Sequence, residues 1–167
     1  MRRRTQCIVI ILIMLAVSVN AQKVKDGFKG FEWGTSLEKL DSLFELNHVD
    51  NEEAFDVYNT NINNLGDVKL DFCHFYFYKK QFMGVWIKVD GYSNYGLLLK
   101  MMDNVYGDHE QENQYIEKYT WHSKKTLRIL DYNKIKKETE IRLISISIYR
   151  QQQKDEEEKA KKGADDF

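Results

Sequence analysis

Residues 68–89 read VKLDFCHFYFYKKQFMGVWIKV and form the most strongly patterned stretch of the chain. Aromatic and β-branched residues dominate positions 68–78 and 82–89, and polar residues at 79–81 separate the two runs. Two runs of this composition around a short polar connection predict an antiparallel β-hairpin. We therefore expect a sheet that is organised around this hairpin.

Side chains alternate between the two faces of a strand, so the hairpin has two chemically different faces. The first face carries Cys73, Phe75, Phe77, Met83, Val85, Ile87 and Val89. The second face is amphipathic and carries Phe72, His74, Tyr76, Tyr78, Phe82, Gly84, Trp86 and Lys88. We expect the first face to enter the core. The second face either binds a partner or is covered by a loop, the tail or a second subunit. A further alternative is that the two faces are inverted and the second face enters the core.

Two helices are predicted, one before the hairpin and one after it. Residues 35–38 fit a capping box with Thr35 as the N-cap, and Gly34 permits a sharp change of direction before it. Apolar residues then recur at helical spacing at Leu37, Leu40, Leu43 and Phe44. Ser93 or Asn94 should cap the second helix, and Gly107 should end it. Its apolar positions are Tyr95, Leu98, Leu99, Met102 and Val105.

Further strands are predicted at residues 55–58, 115–122, 126–132 and 140–149 from their aromatic and β-branched content. The fold class is therefore α+β, with two helices packed on one face of an antiparallel sheet. Two αβββ units in tandem are one arrangement that would produce this order of elements.

The two ends of the chain differ in composition from its middle. Residues 1–21 combine three arginines, an apolar run at 7–19 and a small residue at Ala21, which is the pattern of a secretory signal peptide. We expect cleavage near Ala21/Gln22, a mature chain without a transmembrane segment, and a periplasmic or secreted location. Residues 22–150 should form a single α+β domain, and residues 151–167 a charged tail that is helical or disordered.

Composition and motifs argue against several functional classes. A net charge of −1 is not the strongly basic balance of a nucleic-acid-binding protein. No histidine pair or HExxH motif predicts a metal site, and no glycine-rich phosphate loop predicts a cofactor site. We expect no cofactor, no metal and no enzymatic activity. Three lysine clusters, at 79–80, 124–125 and 134–137, fall in predicted turns and would form one positive rim if the turns lie together; the alternative is a role in solubility.

The start of the first predicted helix carries a resemblance to a known group of proteins. The motif is Gly34-Thr35-Ser36-Leu37-Glu38-Lys39-Leu40, preceded by the short strand FKGFEW at residues 28–33. It resembles the helix start of small envelope modules of the BamE-like and β-lactamase-inhibitor-protein-like type. The resemblance implies helices on one face of a small antiparallel sheet, and a role in binding other proteins without catalysis.

The amphipathic face of the hairpin is the candidate functional site. Phe72, His74, Tyr76, Tyr78 and Trp86 lie on it, and Trp121 joins them if the sheet is continuous. Exposed aromatic rings with polar atoms are typical anchors of protein interfaces. The sequence therefore predicts an exported, non-enzymatic binding module with a protein partner in the cell envelope. The alternatives are a small-molecule or glycan-binding protein, an enzyme without a recognisable motif, and a homodimer that buries the aromatic face on itself.

Overall fold

The computed structural model describes residues 26–52 and 55–164. The predicted signal peptide and its cleavage site lie outside these residues. The described chain contains one large sheet, two small hairpins and three helices. The helices are α1 (Leu37–Phe44), α2 (Tyr92–Tyr106) and α3 (Ile146–Ala164).

The two small hairpins each consist of two-residue strands. Strand β1 (Gly27–Phe28) pairs with β2 (Phe31–Glu32), and β5 (Asn64–Leu65) pairs with β6 (Val68–Lys69). The strands of the large sheet are β3 (Asn47–Glu52), β4 (Phe55–Asn59), β7 (Phe72–Tyr78), β8 (Gln81–Asp90), β9 (Lys118–His122), β10 (Thr126–Asn133) and β11 (Glu138–Ser145).

The large sheet has seven strands in the order β3-β4-β7-β8-β11-β10-β9, and all neighbours are antiparallel. The predicted α+β class with an antiparallel sheet is therefore confirmed. Four strands of this sheet follow α1 and three follow α2, so the order of elements departs from two equal αβββ units.

The prediction of two helices is wrong, because the described residues contain a third helix where a strand was expected. Strand β11 ends at Ser145, and α3 begins at Ile146. The alternation of Ile144, Ile146 and Ile148 was compatible with a strand, but Ile148 and Gln152 are both buried at the four-residue spacing of a helix face. The helix then continues to Ala164, through residues expected to belong to the charged tail.

The central β7–β8 hairpin turns through Lys79 and Lys80, which both have positive φ, at 49° and 62°. Two such residues match the right-handed twist of the flanking strands. The pairing register then shifts, because Tyr76 lies opposite Gly84 while Phe77 lies opposite Phe82. This bulge moves Phe82 into the core, where it is fully buried, and corrects its predicted place on the amphipathic face.

The core lies against one face of the sheet. Its fully buried members include Phe75, Phe77, Ile87 and Leu130, so the predicted core face of the hairpin is buried as expected. Helix α1 reaches this cluster through Phe44, whose ring centroid lies 5.3 Å from that of Phe75. Helix α2 reaches it through Tyr95, which stacks on Tyr132 at 4.4 Å.

The helix ends differ in part from those predicted. The N-cap of α1 is Ser36, whose hydroxyl accepts a hydrogen bond from the Lys39 amide at 3.4 Å. Thr35, the predicted N-cap, instead donates its hydroxyl to the carbonyl of Glu32. The N-cap of α2 is Gly91, two or three residues before the expected cap, and Gly107 ends the helix as predicted.

Candidate functional site

Four aromatic rings form a cluster on the face of β7 and β8 that points away from the core. The cluster, called here the ring cluster, consists of Phe72, His74, Tyr76 and Trp86, and all four side chains are partly exposed. Phe72 stacks on His74 with centroids 4.2 Å apart and meets Trp86 edge-on at 5.0 Å. Strand periodicity positions them, because Cys73 and Phe75 between them are buried on the core side.

A cleft of about 280 Å³ opens beside the ring cluster. It is built by β4, β8, β11 and α3 around Tyr76 of β7, and its walls are mainly apolar. The residues that line it are Phe55, Tyr76, Met83, Gly84, Val85, Trp86, Arg142, Leu143, Ile144 and Tyr149. Two ring-cluster residues therefore form part of its wall, and we call it the aromatic cleft.

Gly84 allows β8 and β11 to approach closely at the floor of the cleft. It lies opposite Tyr76 on one side and Ile144 on the other. A Cβ atom at this position would lie 2.8 Å from the carbonyl oxygen of Leu143, which is closer than side chains tolerate. The absence of a side chain here leaves space between the rings and α3.

Arg142 supplies a positive charge at the edge of the cleft. Its side chain is 49% exposed, and its Nη2 lies 2.5 Å from Glu140 Oε2. Its guanidinium carbon lies 5.6 Å from the centroid of the Trp86 ring, within the range of a cation–π contact. The planar guanidinium has five N–H donors, so it can bind a further carboxylate while it keeps Glu140.

Two groups in the ring cluster are poor in polar contacts. The indole Nε1 of Trp86 is buried and makes no hydrogen bond to any described residue. Burial lowers the pKa of His74, so the imidazole is held in its neutral form around pH 7. The cluster is thus an uncharged aromatic surface with one unsatisfied donor.

Tyr78 lies on the same strand but has a different role. Its hydroxyl donates to Asp155 Oδ2 at 2.5 Å, and Lys79 Nζ lies 2.6 Å from the same oxygen. Burial and the Asp155 carboxylate raise the pKa of Tyr78. These contacts connect the tip of the β7–β8 hairpin to α3, which brings Tyr149 to the wall of the aromatic cleft.

Trp121 does not join the ring cluster, and its predicted place there is wrong. It is 3% exposed in the core, and its Nε1 donates to the carbonyl of Gly107 at 2.9 Å. The sheet is continuous, but the register places Trp121 opposite Arg128, and Arg128 opposite Leu143. Directly opposed residues of antiparallel neighbours share a face, so Trp121 shares the face of Val85, which opposes Leu143.

The cleft residues that sequence reasoning missed include Phe55, Met83, Arg142 and Tyr149. Phe55 comes from β4 and contacts the Tyr76 ring at 5.1 Å. Met83 lines the cleft because the bulge changes its orientation relative to a regular strand. Arg142 had a signal, because it alternates with the buried Ile141 and Leu143 of β11.

Metal-ligating side chains and the thiol of Cys73 are the groups that the sequence offered for metal or nucleophilic chemistry. No group of three or more histidine, cysteine, aspartate or glutamate residues among the described residues is placed to hold a metal ion. Cys73 is buried, and desolvation raises the pKa of its thiol to about 12, so it is not a thiolate at neutral pH. Within residues 26–52 and 55–164, no helix has both the length and the apolar character that a bilayer crossing requires.

In comparisons with known proteins, no protein-family model, no curated protein and no solved structure matches this chain. The candidate site therefore has to be interpreted from its own geometry and chemistry.

Proposed function

We propose that this protein is an exported, non-enzymatic binding module, and that it engages a protein partner in the cell envelope through the aromatic cleft and the ring cluster. The partner segment presents a large apolar or aromatic side chain to the cleft and a carboxylate to Arg142. The observation that carries the proposal is the open, ring-lined cleft beside a partly exposed aromatic surface.

The open side of the cleft, together with a volume at the lower end of the range for small-molecule pockets, favours a side chain over a whole small molecule. Pockets for small molecules typically measure roughly 300–1,000 Å³ and enclose most of their ligand. The aromatic cleft measures about 280 Å³ and is bordered by partly exposed rings on one side. This arrangement suits an anchor residue whose flanking backbone rests on the ring cluster, because aromatic anchors in pockets dominate protein interfaces.

The chemistry at the edge of the cleft supports a partner with an acidic residue near its anchor. Arg142 is half exposed and already pairs with Glu140, which orients its guanidinium. The buried Trp86 Nε1 lacks an acceptor among the described residues, and an unsatisfied buried donor costs about 1–3 kcal/mol. An acceptor supplied by the partner would remove this cost.

The proposal extends to the placement of the helices. We propose that α1 and α2 share the core face of the sheet and leave the aromatic face to the partner. The contacts of Phe44 with Phe75 and of Tyr95 with Tyr132 support this, since Phe75 and Tyr132 both belong to the core cluster. The resemblance of residues 34–40 to BamE-like modules points to the same class of function.

Two tryptophan derivatives test the cleft directly by NMR titration. N-acetyltryptophan carries a free carboxylate, whereas N-acetyltryptophanamide carries none. We expect both to shift the amide signals of residues around Gly84 and Ile144, and the carboxylate form to bind more tightly. The variant Arg142→Gln should abolish this preference, while Arg150→Gln, at an arginine outside the cleft, should preserve it. Shifts that avoid the cleft, or equal affinities in the wild type, would contradict the proposed chemistry.

A second experiment tests the protein partner. A photo-crosslinking residue at Tyr149 captures the neighbour of the cleft in an envelope fraction, and the captured protein is then purified and titrated. The double variant Tyr76→Ala/Trp86→Ala should stay folded and lose binding, because a buried interface anchor contributes about 2 kcal/mol or more. A folded double variant with unchanged affinity for that protein would exclude this face, and crosslinking to a second copy would favour a homodimer. Mass spectrometry of the mature N-terminus tests export, which predicts a start at Gln22.

A further inference from the structure

The turn between β10 and β11 carries the most exposed large apolar side chain of the described residues. This turn comprises Lys134, Ile135, Lys136 and Lys137, and Ile135 is 94% exposed. One isoleucine flanked on both sides by lysines is thus held in solvent at the tip of a hairpin. Lys136 and Lys137 take part in none of the ion pairs formed within the described part of the chain.

Other exposed apolar side chains lie at the same end of the molecule. Tyr115 is 79% exposed and Ile116 is 52% exposed, in the segment before β9. The next residue, Glu117, connects this segment to the turn, because its Oε1 lies 2.8 Å from Lys134 Nζ. The segment also follows β10, since the Tyr132 amide donates to the carbonyl of Glu117 at 2.8 Å.

The start of α2 completes this end of the molecule. Tyr92 is 69% exposed, and its ring centroid lies 5.9 Å from that of Tyr132. The Gly91 amide donates to the carbonyl of Lys137 at 2.8 Å, which fixes α2 beside the turn. We call this surface the lysine–isoleucine tip; it consists of Tyr92, Tyr115, Ile116 and residues 134–137.

Backbone hydrogen bonds give the tip a defined shape. The side-chain oxygen of Asn133 accepts hydrogen bonds from the amides of Ile135 and Lys136, each at 3.0 Å. These two amides therefore have partners within the turn. Such saturation matters for contact with lipid, because unsatisfied backbone groups are costly away from water.

We propose that the lysine–isoleucine tip docks on an anionic lipid surface. Ile135 inserts below the level of the lipid headgroups, and Lys136 and Lys137 pair with lipid phosphates. The tyrosines lie at the headgroup level, where amphipathic rings are favoured. Charge complementarity indicates an anionic lipid surface, because lysines lie on both sides of the exposed isoleucine in the turn. The proposal uses residues outside the aromatic cleft and does not depend on its partner.

The other two lysine clusters lie at the opposite end of the sheet. The turn at Lys79 and Lys80 joins the ends of β7 and β8 that lie beside Ser145, the end of β11. Lys124 and Lys125 precede Thr126, which lies opposite Ser145. The single positive rim that the sequence allowed is therefore absent from the described residues, and the Lys124–Lys125 turn becomes a matched control for the tip.

Vesicle flotation of the protein purified from the expressing cells tests the proposal. The probes are vesicles of phosphatidylglycerol mixed with phosphatidylcholine, compared with phosphatidylcholine alone. We expect the wild type to float with the anionic vesicles and weakly or not at all with the neutral ones. Lys136→Gln/Lys137→Gln should lower the partition coefficient roughly tenfold or more, since each lysine near such a surface contributes about a fivefold factor. Ile135→Ser should lower it by a similar factor, because it removes the apolar side chain that inserts below the headgroups.

The matched variant Lys124→Gln/Lys125→Gln removes the same charge at the other end and should keep wild-type partitioning. All variants have the same N-terminus, so a difference in vesicle partitioning between them comes from the substituted turn alone. Thermal melts establish that all variants are folded. The proposal is overturned if the wild type does not bind anionic vesicles, or if the two double lysine variants lower partitioning equally. It is also overturned if folded Ile135→Ser binds as the wild type does.

Discussion

The two faces of the β7–β8 hairpin are both rich in aromatic rings, yet they occupy different environments. On the core face, Phe75, Phe77 and Phe82 are fully buried and pack against one another at 4.8–5.7 Å. On the other face, Phe72 and Trp86 remain partly exposed. The difference comes from what packs over each face, since α1 contacts the core face through Phe44. Aromatic content alone thus does not determine burial, and rings left without cover are candidates for binding.

The largest expected effect is the contrast between Phe75→Ala and Phe72→Ala. Removal of a fully buried phenylalanine ring leaves a cavity and should lower the free energy of unfolding by about 3–5 kcal/mol. Phe72 is partly exposed, so its loss should cost about 1 kcal/mol or less. Urea denaturation of both variants measures the difference. Similar losses would mean that the aromatic face is as much a part of the core as the other face.

Gly84→Ala should produce the next largest effect. The added methyl group would lie 2.8 Å from the carbonyl oxygen of Leu143, so β8 and β11 must separate, at about 1–3 kcal/mol. The same methyl group also enters the floor of the aromatic cleft and should weaken binding of N-acetyltryptophan. Gly96→Ala is the control, because no atom lies within 4 Å of its added Cβ, and it should stabilise α2 by about 0.5–1 kcal/mol. Equal effects at the two glycines would show that the strands do not approach closely at the cleft.

Glu117 links α2 to the edge of the sheet and makes stability depend on pH. Its carboxylate pairs with Lys134 and accepts hydrogen bonds from Tyr119 and Tyr95, and these contacts lower its pKa from 4.5 to about 2. Because the folded-state pKa is below the unfolded value, this stabilisation is present above pH 4.5 and is lost as the pH falls towards 2.

Glu117→Gln should therefore lower the free energy of unfolding by about 1–2 kcal/mol at neutral pH. It should also make stability less dependent on pH across the acid range, as measured by thermal melts at a series of pH values. Glu112→Gln, at an exposed glutamate in the same segment, serves as the control and should match the wild type. If the stability of both variants depends on pH as that of the wild type does, the Tyr95–Glu117–Tyr119 network does not stabilise the fold.

Alternation along the sequence predicted the faces of β7 and of β8 from Gly84 to Val89, but not those of Phe82 and Met83 or of Trp121. Alternation is a local property, so the burial of Cys73, Phe75 and Phe77 followed from spacing alone. The bulge that buries Phe82 has no local signal, because β8 is uniformly rich in strand-forming residues. Trp121 was misplaced for a related reason: its face depends on the register of three strand pairs, which a sequence does not specify.

The candidate site was predictable only where it lies on one hairpin. Tyr76 and Trp86 belong to β7 and β8, and the spacing of the hairpin placed them on one face. Tyr149 reaches the cleft because α3 begins at Ile146 and contacts the hairpin tip through Asp155. This contact joins residues far apart in sequence, and the isoleucine spacing at 144–148 fits a strand as well as a helix.

The smallest expected effect concerns the N-cap of α1. Ser36 accepts the Lys39 amide, so Ser36→Ala should lower the free energy of unfolding by about 1 kcal/mol and the melting temperature by a few degrees. Thr35→Ala removes a hydroxyl that bonds the Glu32 carbonyl outside the helix and should cost about half as much. Ser36→Asp keeps an acceptor at the N-cap and adds a favourable charge at the helix N-terminus, so it should restore wild-type stability. A larger loss of unfolding free energy for Thr35→Ala than for Ser36→Ala would instead place the start of the helix at Thr35. The first turn of α1, which leads towards Phe75 and the core face, would then consist of different residues.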